Sequence, residues 1–175
     1  MAPARITVPG LLLGVGLGGF ADGIVLHQIL QWHHMLTSTG EHPASTVAGL
    51  EANTLADGLF HAAAWLATLA GLWLLWRVTR GGAPWSGREL AGLLLAGWGL
   101  FNVVEGLVDH QLLGLHHVRA GDAELAYDLG FLAFGALLAG AGAYLIRTAS
   151  LQAPLHGSAI RPARMHGSAR ARRHR

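Results

Sequence analysis

The chain contains no cysteine and no lysine, and charged residues fill only 13% of its 175 positions. Without thiols there is no disulfide, no thiolate metal site and no cysteine nucleophile, so soft-metal chemistry falls to His or Met. No Gly-rich phosphate loop opens a helix, and no nucleophile stands beside an evident base. Soluble domains carry about 25% charged residues; the shortfall here, with 52% hydrophobic residues and a mean hydropathy of +0.40, describes a membrane protein. Every basic residue is Arg, and seven of the twelve lie from Arg147 onward. The resulting pI near 9.9 is read as membrane topology and not as nucleic-acid binding.

Four apolar segments are long enough, at about 1.5 Å per residue, to cross a hydrocarbon core of about 30 Å. They cover residues 9–30, 55–76, 89–113 and 126–146. The expected fold is all-α, an integral membrane four-helix bundle. Residues 1–8 form an N-terminal segment, residues 31–54 a polar loop broken by Gly40 and Pro43, and residues 147–175 a basic tail without sustained apolar periodicity, read as disordered. A cleaved signal peptide, with Arg5 and a Gly19-Phe20-Ala21 cleavage site, is the competing reading of the first segment. It is disfavoured because cleavage would orphan a repeat. Arg77, Arg80 and Arg88 crowd the middle linker, so the positive-inside rule puts that linker and both termini in the cytoplasm.

The repeat centres on Asp22-Gly23-Ile24-Val25-Leu26-His27-Gln28-Ile29-Leu30-Gln31-Trp32-His33-His34. Shifted by 83 positions it becomes Glu105-Gly106-Leu107-Val108-Asp109-His110-Gln111-Leu112-Leu113-Gly114-Leu115-His116-His117, with seven of thirteen positions identical. The bundle is therefore expected to consist of two tandem hairpins in the same orientation. Small residues at Gly14-x3-Gly18, Ala63-x3-Ala67-x3-Gly71, Gly92-x3-Ala96 and Ala136-x3-Gly140 would let the helices approach closely.

Depth concentrates the polar groups. Asp22, His27, Glu105, Asp109 and His110 come late in the first and third spans, while Asp57, His61 and Asp128 come early in the second and fourth, so all lie in the exoplasmic half. A charge near the bilayer centre costs at least ~2.5 kcal/mol and is normally paired and functional. Imidazole and carboxylate together suit Cu, Fe or Zn without thiolates, and bundle cores are a known place for such sites. The candidate ligands are His27, His61 and His110, with Asp22, Asp57, Glu105, Asp109 and Asp128 as further ligands or as partners that orient the rings. His33, His34, His116 and His117 are placed at the outer interface, as a gate or a second site. Gln28, Asn102 and Gln111 are supporting hydrogen-bond groups. At 100° per residue the lines through Asp22 and His27 diverge by roughly 140°, so one helix cannot aim both at one point.

The plainer reading of the same residues is a hydrogen-bond network between helices, with the tryptophans forming an interfacial belt. A b-type haem, with His27 or His110 and His61 as axial ligands, is an alternative occupant, though so many acids suit a haem pocket poorly. A proton or ion transporter is a further reading, weakened by the lack of ionisable groups in the inner half of the spans. The His-x5-His-His spacing differs from the histidine boxes of membrane di-iron oxygenases, so enzyme status stays open.

Asp22-Gly23-x3-His27-Gln28-x4-His33-His34, Asp57-Gly58-x2-His61, Asn102-x2-Glu105-Gly106-x2-Asp109-His110-x5-His116-His117-Val118-Arg119 and Asp128 together resemble a family of bacterial four-span membrane proteins, domain of unknown function 2243. The resemblance covers residues 10–146. It implies a bacterial inner-membrane protein in a lipid bilayer and no established activity. It also points to assembly of copper-containing respiratory oxidases as a partner process, and so adds weight to copper. A second copy of the chain is a separate expected partner.

Overall fold

In a computed structural model the chain is described over residues 6–152. Most of the N-terminal segment and the tail from residue 153, expected to be disordered, lie outside them. Four long helices account for the structure, each long and apolar enough to cross a membrane, with no strand among the described residues. They are α1 (Thr7–Asp22), α2 (Val47–Arg80), α3 (Gly87–Glu105) and α4 (Glu124–Gln152). Two of them continue without a break into wider π-helical turns, α1 through Gly23–Ile29 and α3 through Gly106–Leu112.

The boundaries differ from expectation most at the two ends of α2, which runs on to Arg80 and not to 76, and at the end of α4. α2 begins at Val47 and not at 55, because Thr46 caps it, its hydroxyl accepting from the Gly49 amide at 3.1 Å. A cap of this kind satisfies a donor that the helix itself cannot, and it lets the polar stretch through Asn53 be helical. At 34 residues α2 is about 51 Å long, so its first turns stand beyond the hydrocarbon. α4 runs to Gln152, taking residues 147–152 out of the tail.

The helices form a row in the order α2, α1, α3, α4. α1 packs against α2 and α3, α3 packs against α1 and α4, and α2 does not touch α4 among the described residues. Burial follows the same order: half of the most apolar stretch of α1 is buried, against 11% for α2 and for α4. Composition explains which helices sit in the middle, since an inner helix must approach two neighbours and α1 is rich in glycine on both sides. A Cβ on Gly14 would strike the Leu94 carbonyl and lie 2.8 Å from the Gly97 Cα, while one on Gly16 would strike the Thr68 hydroxyl on α2. Trp65, Trp73 and Leu66 of α2 point outward and are more than half exposed, the side such residues take toward lipid. The expected Ala136-x3-Gly140 stripe is not the one that packs: a Cβ on Gly140 would meet nothing within 4 Å, whereas Gly135 and Gly142 lie against Gly99 and Ala96.

Candidate metal centre

The π-helical turns decide how the site is built. A ladder of i→i−5 bonds, ending in Leu30 N–H to Val25 O and Leu113 N–H to Val108 O, each 2.8 Å, returns residues five apart to the same face. His27 Nε2 therefore lies 3.1 Å from Asp22 Oδ2, and His110 Nε2 lies 3.2 Å from Glu105 Oε1. The expected divergence of Asp22 and His27 is overturned: it assumed α-helical winding, and the chain is not α-helical there. Each π turn then ends at a left-handed residue, Gln31 at φ 48° and Gly114 at φ 58°. From there the chain folds back over the end of the row, bringing His33, His34, His116 and His117 inward.

Asp57 on the outer helix α2 and Asp128 on the outer helix α4 tie those returns down. Asp57 accepts from His27 Nδ1 at 3.0 Å, His34 Nδ1 at 2.7 Å, Gln28 Nε2 at 3.2 Å and the Met35 amide at 3.0 Å. Asp128 accepts from His117 Nδ1 at 2.7 Å, Gln111 Nε2 at 3.1 Å and the Val118 amide at 2.9 Å. His110 Nδ1 stands 3.5 Å from it. The two loops also join each other, through His33 Nδ1 to the Val118 carbonyl at 2.8 Å and Ser38 N–H to the Leu115 carbonyl at 3.1 Å.

Four imidazoles meet beneath these loops. His27 and His116 are 0% exposed, His110 2% and His33 3%. His33 stacks on His116 at 4.6 Å, with His27 edge-on to His33 at 4.4 Å and His110 edge-on to His116 at 4.8 Å. His33 and His116 are thus inside the cluster and not at the outer interface, where a gate or a second site was expected; the left-handed turn carries them there. Their neighbours His34 and His117 hold the half-buried rim, each bonded to a hub aspartate, with His117 Nε2 also 3.3 Å from Glu124.

The hydrogen bonds fix which ring nitrogens are available. His27 Nδ1 donates to Asp57, His33 Nδ1 to a carbonyl and His116 Nε2 to Glu105 Oε1 at 3.0 Å. None of these acceptors can donate. In the neutral ring the opposite nitrogen then carries the lone pair: Nε2 of His27, Nε2 of His33 and Nδ1 of His116, all buried without a hydrogen bond. Both carboxylate oxygens of Asp22, Glu105 Oε2 and Asn102 Oδ1 are likewise buried acceptors without a hydrogen bond.

Other expected residues fall around this centre. His61 turns away, its Nδ1 donating to the Asp57 carbonyl at 2.7 Å and its Nε2 edge against Gly23. Asp109 lines a pocket of about 330 Å³ beside Glu105, and Asn102 lines one of the same size beside Asp22. Gln28 and Gln111 support the hub aspartates. Three residues were missed. Phe60 stacks on His27 at 5.6 Å and Phe131 packs on His110 at 5.3 Å, and their signal is a shared Asp-x2-Phe spacing from Asp57 and Asp128. Asn53, wholly buried, accepts from the Leu36 amide and donates to the His42 carbonyl, and no pattern marked it.

Two triads have ligand-capable atoms within 4.8 Å of one another, His27 with His33 and His116, and Glu105 with His110 and His116. Fold and site together define a four-helix membrane protein that buries an imidazole and carboxylate cluster at one end. The family of predicted membrane proteins described as DUF2243 matches residues 9–149, and the chain belongs to it. No curated protein and no solved structure matches the chain.

Proposed function

We propose that the protein is a membrane metalloprotein, with a transition metal ion held among His27, His33, His110 and His116 in the exoplasmic half of the bilayer, for metal handling or metal-dependent redox chemistry. The observation that carries this is the triad of His27, His33 and His116, whose ligand-capable atoms lie within 4.8 Å of one another and whose rings each leave a buried nitrogen without a hydrogen bond. An unsatisfied buried acceptor costs about 1–3 kcal/mol, and a cation satisfies several at once. The outer partners fit as well, because His27 is oriented by Asp57 and His116 by Glu105, the arrangement in which a carboxylate fixes the tautomer of a ligating ring. Imidazoles with carboxylates and no sulfur suit Zn, Fe or Cu.

The exoplasmic placement rests on Arg77, Arg80 and Arg88, which sit at the opposite end from the site, and on the rule that such residues gather on the cytoplasmic side. The rings lie in contact with one another and with Phe60 and Phe131, and such packing argues against a haem between them. The test is metal analysis of the full chain purified in detergent. Stoichiometric Zn, Fe or Cu is expected; no retained metal, with unchanged thermal stability on adding each ion, would sink the reading.

A further inference from the structure

We propose that the centre is dinuclear, with the His116 ring bridging two metal ions. This rests on the metal-centre reading above and adds to it the number of ions and the residue between them. The two triads share one residue, His116. Its two ring nitrogens point out of opposite sides of the ring, so a single side chain serves both sets. Nδ1 is buried without a hydrogen bond, leaving a lone pair for the first triad. Nε2 belongs to the second, 3.0 Å from Glu105 Oε1.

Two spacings in the second triad are already those of a coordination shell. Ligands at 2.0–2.1 Å around a tetrahedral ion stand roughly 3.3 Å apart. Glu105 Oε1 lies 3.0 Å from His116 Nε2 and 3.2 Å from His110 Nε2. In the first triad Asp22, both of whose oxygens lack a hydrogen bond, stands 3.1 Å from His27 Nε2 and supplies a fourth donor.

Charge favours two ions over one. Four carboxylates touch three of the four rings: Asp22 and Asp57 on His27, Glu105 on His110 and His116, and Asp128 on His110. One divalent ion leaves two of those charges unbalanced within the membrane, where uncompensated charge is costly. Two divalent ions balance all four. Bridging then requires the second ring nitrogen of His116 to release its proton to bulk water, both lone pairs bonding metal with no change in oxidation state. A single negative charge remains.

Loading the metal-stripped full chain in lipid nanodiscs with Cu(II), while following copper content and the electron paramagnetic resonance signal, tests the bridge. The expected result is two ions per chain at saturation and a loss of integrated signal as the second ion enters, because an imidazolate couples the two spins. His33→Ala removes a donor of the first triad only; it is expected to leave one ion per chain with a full, uncoupled signal. Two ions with an undiminished signal, or one ion in the wild-type chain, would overturn the bridge and leave a metal centre standing. No copper bound, with none retained of any other ion, would overturn both.

Discussion

Asp57 and Asp128 each join a helix to the loop that folds over it, and each also orients or faces a ring of the cluster. Removing the side chain and removing only its charge should therefore differ. Asp57→Ala orphans four donors, the rings of His27 and His34, the Gln28 amide and the Met35 N–H. At about 1–3 kcal/mol for each buried one, thermal unfolding in detergent is expected to show a large loss of stability. Asp57→Asn keeps the shape but lets the group donate as well as accept, which frees His27 to take the other tautomer. Titration with Zn(II) is expected to show affinity lowered by roughly 10–100-fold with the fold retained. Asp22, Glu105 and the paired histidines were legible because the repeat marks them, and Asp57 and Asp128 because they fall within apolar spans. His33 and His116 were legible as residues but not in their place, since burial depends on a turn that residue type does not announce. His61 looked equivalent to His27 by depth alone, yet its own helix supplies the Asp57 carbonyl that takes its Nδ1.

The two π turns with their left-handed ends are the elements that make the site. Gln31 adopts φ 48° where Gly114 adopts φ 58°, a conformation costing a residue with a side chain about 1–2 kcal/mol. Gln31→Gly is expected to leave stability unchanged or raise it by under about 1 kcal/mol, whereas Gly114→Val is expected to lower it by about 1–3 kcal/mol and to reduce metal content, by misplacing His116. Chemical unfolding of the two variants side by side checks both. The spans could be read from apolar length, but the π winding could not. A period of 100° per residue is the default for any apolar run, and only the conflict between Asp22 and His27 on that wheel hinted at another winding. Nor did composition give the helix order, although the glycines of α1 carry it: Gly14 turned to α3 and Gly16 to α2 are what an inner helix needs.

As a whole molecule the protein is a row whose two inner helices carry the π turns and whose two outer helices face outward. Arg77 over the Trp73 ring at 5.0 Å and Arg80 over Trp76 at 5.2 Å mark the end opposite the site, where cations and aromatic rings meet a membrane surface. The absence of cysteine makes the orientation simple to test with single introduced thiols. Thr39→Cys, in the loop above the site, is expected to react in intact cells with a reagent that cannot cross the membrane. Gly82→Cys, in the linker at the other end, is expected to react only after the membrane is opened; the reverse pattern would invert the topology.

The central claim is a metal ion bound by buried imidazoles without sulfur. X-ray absorption at the edge of the retained metal, on the purified full chain, tests it most directly. The account predicts a first shell of nitrogen and oxygen near about 2.0–2.1 Å, with the outer-shell scattering of several imidazole rings, reduced in His33→Ala. An edge too weak to measure, or a shell of oxygen alone without imidazole scattering, would contradict it.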